Sequence, residues 1–246
     1  MINGAGPPRG SDDGSADPAV TAALAAYAAG RRPEADALAA LSAARLLVPV
    51  VPVTATAAGP ASPDPARAGD PGSLRPARRG ERATDVAFAT LIGRDGRPAL
   101  PAFTGLDPLR RWQESARPLP VAARQVWQDA VARSCAVVID VAGPVPLAVE
   151  GARLAALARG EAPPPLWSDP DVREVVARAV AGRPEIGSFE LWPEPGGGDL
   201  VIAVSPVPGS DGRRLDGAAA GIGNAVMTGL GGRIRRGVAV VVAPGA

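Results

Sequence analysis

Residues 86–109 read VAFATLIGRDGRPALPAFTGLDPL, a stretch that writes a strand, a turn, a returning strand and the start of a helix without a break. The first arm, 86–92, is apolar and rich in strand formers. Gly93-Arg94-Asp95-Gly96 supplies turn chemistry, with two glycines free to take positive φ. The return arm runs from Pro98 to Thr104. Asp107-Pro108 then predicts an N-cap carboxylate followed by proline at the first helical position, where its missing N–H costs nothing, and the helix continues through Leu109 and Trp112.

Upstream the composition changes. Residues 54–84 are rich in Pro, Gly and Arg and hold almost no large apolar side chain, which predicts a disordered insertion. Its Arg75, Arg78, Arg79 and Arg82 form the densest basic cluster of the chain. With no aromatic residue among them they read as a solvated linker, a tether for RNA or an acidic partner being the alternative. LLVPVVPV at 46–53 is extended and apolar, but its two prolines cannot donate ladder hydrogen bonds, which places it at a sheet edge. Before it, Asp17-Pro18 opens a helix that carries Val20, Leu24 and Tyr27 on one face and stops at Gly30. A second helix, about 33–44, turns Leu38 and Leu41 inward. Residues 1–16 have nothing to bury and read as a disordered arm.

Downstream, Val121, Val126, Trp127 and Ala130 predict a helix over about 120–134, with Trp112 and Trp127 as core anchors. CAVVIDV at 135–141 is the strongest central strand, Gly143-Pro144 turns it, 145–149 returns, and a helix over 151–159 closes the unit. GEAPPPLW at 160–167 is a proline-rich joint. Beyond it Asp169-Pro170 caps a helix ended by Gly182, followed by strands at 188–192 and 199–205, a helix at 213–230 and a strand at 237–242. Gly217, Ala218, Gly221 and Ala225 predict close approach of the 213–230 helix to its sheet. The fold class is therefore α+β: a mixed or antiparallel sheet packed with helices over 17–159, a linker at 160–168 and a smaller α+β domain at 169–246.

Charge and chemistry narrow the function. The 26 basic residues, all arginine, meet 25 acidic ones for a net charge of +1, so no global field draws in nucleic acid or an anionic membrane. Arginine without lysine reads as GC-rich codon usage before it reads as phosphate binding, and Arg110-Arg111 and RIRR at 233–236 read as solvated helix ends. Cys135 is the only cysteine, which favours a reducing compartment. The N-terminus carries Asp12, Asp13 and Asp17 and does not read as a signal peptide. No apolar run reaches the roughly 18–20 residues of a membrane helix.

The chain contains no histidine, which removes Ser-His-Asp and Cys-His arrangements and His-containing zinc sites. Cys135 reads as a buried, inert thiol. Gly221-Ile222-Gly223 is a fragment of a dinucleotide fingerprint with Val226 at its sixth position and no strand immediately before it. No catalytic residue, cofactor or metal is expected. Asp140, at the end of the central strand, is the carboxylate best placed for a site, and its simpler role is to cap the Ala142-Gly143 turn with its own carboxylate.

LLVPVVPV at 46–53, ALPAFTG at 99–105, LRRW at 109–112 and AVVIDVAGPVPL at 136–147 together follow one pattern. They resemble the N-terminal domain of the SseB family: an L-x-VP strand, a hairpin returning through lPaFTs, a helix with Trp, then an ivIN-P-GP strand and turn. The resemblance spans about 17–157 outside the insertion and looks like an actinobacterial-type member, while the region after Trp167 is similar only loosely to the family's C-terminal domain. Gly105 stands where Ser is usual, and Asp140-Val141 where Asn-Pro is common. The resemblance implies the fold and brings no catalytic residue with it.

The expected function is a non-catalytic, cytoplasmic protein-interaction or regulatory module with an unidentified protein partner, no nucleic acid and no membrane. The candidate surface is Phe103, Thr104 and Gly105 beside Asp140, Gly143 and Pro144. The alternatives are a small-molecule binder or carboxylate-based enzyme at that same turn, and an RNA- or ribosome-associated factor acting through the 75–82 arginines.

Overall fold

The computed structural model describes residues 13–50, 89–93 and 96–243. The 54–84 insertion with its arginines and the first residues of the expected hairpin arm, 86–88, lie outside the described residues. Helix α1 (Pro18–Ala28) starts as its Asp-Pro pair requires: the Asp17 carboxylate accepts the Ala19 N–H at 2.7 Å, and Pro18 fills the first helical position. Val20, Leu24 and Tyr27 are buried, and Gly30 turns the chain at φ +67°. Helix α2 (Glu34–Ser42) buries Leu38 and Leu41 beside them. Just upstream, residues expected in the disordered arm run against the fold: the Gly14 carbonyl accepts the Leu106 N–H and the Ser15 carbonyl accepts from Arg45.

The expected hairpin is present as β2 (Leu91–Ile92) against β3 (Pro98–Ala102), its turn closed by Gly93 N–H to the Arg97 carbonyl and Gly96 N–H to the Gly93 carbonyl, with Gly96 at φ +80°. Strand β3 runs parallel to the predicted central strand, which appears as Ala136–Ile139; that strand is in turn antiparallel to Leu147–Val149. The sheet is mixed.

Three expectations are corrected. The described part of the LLVPVVPV segment, 46–50, is not at an open edge. It forms β1 (Arg45–Val50), which has β4 (Arg117–Ala122) along one side and, on the other, a reciprocal pair of hydrogen bonds from Leu47 to Phe103 at the end of β3. Strand β4 itself is not expected from the sequence, and Val121, expected in a helix, lies within it. Both differences rest on proline, and register explains them. Leu47 turns its N–H and C=O toward Phe103, so the Leu47–Pro120 pair is a non-hydrogen-bonded one in the antiparallel ladder, and two residues on so is Pro49–Pro118. Pro49, Pro118 and Pro120 stand where no neighbour asks them for a donor.

The third correction concerns α3 (Leu106–Trp112). Its N-cap is Gly105, not Asp107; the Leu106 N–H goes to the Gly14 carbonyl, so a tertiary contact starts the helix earlier than the Asp107-Pro108 pair predicts. Asp107 remains in the first turn and Arg110 and Arg111 in the last, as the helix dipole favours. Helix α4 (Ala123–Ala132) follows β4 directly and sinks Trp127 fully into the core, after which come β5 (Ala136–Ile139), β6 (Leu147–Val149) and α5 (Gly151–Arg159).

Past a 3-10 turn at Leu166–Ser168 the remaining elements match the expected order. Asp169 caps α6 (Pro170–Ala181), β7 (Ile186–Trp192) pairs antiparallel with β8 (Leu200–Pro206), and α7 (Gly212–Leu230) crosses over to bring β9 (Val238–Val242) parallel to β8. Val172 and Val176 of α6 and Ile222 and Val226 of α7 bury one face of this sheet against Leu200, Ile202 and Val204. Each such aliphatic side chain removed from water contributes about 1.5–3 kcal/mol. Of the small residues expected against the sheet, Ala218 is buried in the core that α7 shares with it, while Gly217 and Gly221 are placed elsewhere. Gly217 faces open space; a Cβ at Gly221 would lie 2.2 Å from the guanidinium of Arg183, and one at Gly229 would lie 2.8 Å from Val175 on α6. Arg183 occupies the room at Gly221 to bond the Ala179 and Ala218 carbonyls, clamping α6 to α7.

Candidate functional site

The corner singled out from the sequence is assembled by two parallel strand ends. β3 finishes at Ala102 and β5 at Ile139, and Asp140 then enters the left-handed region at φ +47° with its N–H on the Ala102 carbonyl. This brings its carboxylate onto Thr104: Oδ1 accepts the Thr104 N–H at 2.8 Å, and Oδ2 accepts the Thr104 hydroxyl at 2.7 Å. The turn that follows is closed by the Asp140 backbone carbonyl, which accepts the Gly143 N–H, so the expected side-chain cap of that turn is corrected to a main-chain one. A Cβ at Gly143 would sit 2.7 Å from that of Asp140. Gly105 leaves no room either, since an added Cβ would lie 2.7 Å from the Ala16 nitrogen.

The six residues are thus brought together, but four of them, Phe103, Thr104, Gly105 and Asp140, are buried; Gly143 is half-buried and Pro144 exposed. The Phe103 ring lies 5.4 Å from that of Trp112, tilted to it by 34°. Chemically the arrangement is a clasp: both carboxylate oxygens of Asp140 already hold internal donors, and the chain from Val141 to Pro146 is carried on it.

Burial pushes the Asp140 carboxyl above its usual range, and the two Thr104 bonds oppose this without cancelling it. A carboxyl whose folded-state pKa is raised contributes stability that is fully present below its unfolded pKa, near 3.8, and is lost as pH rises through the folded value. Asp140→Asn keeps an acceptor for the Thr104 N–H and a donor for its hydroxyl while removing the charge. The variant is expected to lose this component of the pH dependence, and so to gain stability relative to wild type as pH is raised from about 4 to 7. Parallel urea titrations across that range check it, and a wild-type-minus-variant difference that stays constant or runs the other way would refute it.

A second assembly was not anticipated. A cleft of about 560 Å³ opens where α1, α5, α6 and the Gly231–Arg233 turn converge. Glu34, the first residue of α2, is buried there and accepts from two guanidiniums, Arg153 of the first turn of α5 and Arg233, the latter at 3.2 Å. Arg233 also reaches Asp169, the α6 cap, at 2.5 Å. Burial lowers the pKa of Arg153 and Glu34 pulls it back only in part; for Arg233 burial works in the same direction, but Glu34 and Asp169 together outweigh it. Tyr27 donates its hydroxyl to the Gly232 carbonyl at 2.5 Å, and Arg235 lies 5.0 Å over its ring. Asp171 caps α5 from across the cleft by accepting the Ala152 N–H at 2.8 Å; Gly151, at φ +61°, has this carboxylate where a Cβ would be.

A further carboxylate, Asp199, is equally occupied. It accepts the backbone N–H groups of Arg235 and Arg236 and the Arg236 side chain, pinning the chain as it enters β9. The reading of 233–236 as a solvated helix end is therefore corrected: Arg233 is buried between two carboxylates and Arg236 is paired. The one signal in the sequence was Arg153, which shares a helical face with Ala156 and Leu157 and so puts a charge on a buried stripe. Cys135 is buried, and desolvation raises its pKa, as fits an unreactive thiol.

Among the described residues no group of three or more His, Cys, Asp or Glu is placed to hold a metal ion, and no helix is long and apolar enough to cross a membrane. Residues 20–156, more than half of the chain, match the family model described as SseB protein N-terminal domain. No curated protein and no solved structure matches the chain.

Proposed function

We infer that this chain, which belongs to the SseB family, works as a non-catalytic cytoplasmic module that binds another protein. The observation that carries the reading is the use to which its buried carboxylates are put. Asp140, Glu34, Asp169 and Asp199 all accept internal donors that hold strand ends, helix caps and chain crossings together, so the groups suited to acid–base work are engaged in the scaffold. The arginine-only basic complement supports an actinobacterial-type member, and the lone thiol supports a reducing compartment. The chain is organised as two units, 17–159 and 169–246, with 160–168 between them and the Glu34–Arg153–Arg233–Asp169 network across the seam.

The binding surface is the Phe103-Thr104-Gly105 corner with the Asp140 to Pro144 turn. Its buried members act by holding the exposed ones: the clasp carries Gly143 and Pro144 on a loop fixed at both ends, and a loop held in one conformation loses little freedom on binding. Affinity capture from a native lysate tests this. A stoichiometric partner is expected with wild type and a reduction of about tenfold with Pro144→Glu, a change at an exposed position that leaves the clasp untouched. Repeated recovery of no stoichiometric partner would remove the reading; equal recovery by the variant would remove the corner as the surface.

A further inference from the structure

We propose that the cleft between α1, α5, α6 and the Gly231–Arg233 turn binds a small anion carrying a carboxylate or phosphate group, a role that goes beyond protein binding and does not depend on it. At about 560 Å³ the cleft falls within the roughly 300–1,000 Å³ of small-molecule sites. Its charges are unevenly occupied. Of the lining carboxylates, Glu34 is held by Arg153 and Arg233, Glu150 by Arg97 at 2.7 Å, and Asp171 by the Ala152 N–H; Glu174 alone has no such bond among the described residues.

The donors are in surplus. Arg178, on the last turn of α6, makes no ion pair among the described residues. The Arg235 guanidinium lies on the Tyr27 ring without a carboxylate, and the Nε of Arg153, buried in the cleft wall, donates to nothing among the described residues. Guanidiniums present planar, paired donors that suit carboxylate and phosphate oxygens alike. Val175, half-buried in the cleft wall, gives an organic body an apolar contact, while the buried Tyr27 ring, bonded to the Gly232 carbonyl, supports Arg235 from below.

The test is thermal-shift titration of the full chain with inorganic phosphate and, separately, citrate, at constant ionic strength set with sodium chloride. At least one is expected to raise the unfolding temperature saturably, with half-saturation below about 10 mM. The effect should weaken by about tenfold in Arg178→Ala and in Arg235→Ala. Arg111→Ala, exposed on α3 and outside the cleft, should leave it unchanged. Response to one anion and not the other assigns the head group. The proposal is overturned if neither anion saturates beyond the chloride control or if both cleft variants respond as wild type does.

Discussion

Glu34→Ala is expected to lower the stability of the protein by about 3–5 kcal/mol, the cost of breaking a buried ion pair from one side. The carboxylate is only 5% exposed and Arg153 only 4%, so neither guanidinium contact is relieved by water when the acid is lost. Arg233 keeps Asp169 at 2.5 Å, but Arg153, whose Nε already donates to nothing among the described residues, is left with a buried charge and without its ion pair, Asp169 and Glu150 acting on it only at longer range. Desolvation dominates because both charges have been withdrawn from water together. The same reasoning predicts that Glu34→Leu combined with Arg153→Met recovers most of the loss, since exchanging both partners for apolar groups of similar volume removes the desolvation cost together with the attraction. Urea midpoints of the two variants against wild type measure both. A single-variant loss below about 1 kcal/mol, the size of an exposed surface pair, would contradict the buried character of the network.

Asp199→Ala is expected to act locally. Its carboxylate accepts the Arg235 N–H at 2.7 Å, the Arg236 N–H at 2.6 Å and the Arg236 side chain at 3.0 Å while only 6% of the residue is exposed. A parallel pair has no hairpin to set its register, so β8 and β9, joined through α7, depend on contacts at their starting ends; Asp199 stands beside the Leu200–Val238 pairing. Losing the acceptor strands backbone donors next to the core. The expected cost is about 3 kcal/mol, which corresponds to a fall of roughly 100-fold in amide exchange protection along Val238–Val242. Protection in β3 and β5, in the other sheet, should hold. Protection of β9 within about threefold of wild type would show that register rests on side-chain packing alone.

What could be read along the chain was what local chemistry decides. Asp17-Pro18 and Asp169-Pro170 each begin a helix because cap and fixed φ are supplied within two residues. Asp107-Pro108, read the same way, misleads because the Leu106 N–H is already taken by a residue far upstream. RPLPVA at 117–122 hides a strand for a related reason. A proline forbids a ladder donor only where one is required, and that is a property of register, invisible in composition. The corner was legible as a neighbourhood, through Thr104 and Asp140 at two strand ends, but the direction of their side chains was not. The ionic network was legible least of all: Glu34 and Arg153 are 119 positions apart, and neither carries a signal that names the other.

The carboxylates at Asp169 and Asp171 have a consequence for how such a chain can be inherited. One begins α6 while gripping Arg233, and the other begins α5, earlier in the chain, at a glycine that both its left-handed φ of +61° and this carboxylate require. A recombination event that exchanged everything after the 160–168 joint for an unrelated module would leave α5 without its cap and Glu34 without Arg233. The region beyond the matched family segment is therefore expected to travel with it, and any grafted replacement must bring acids at these two places.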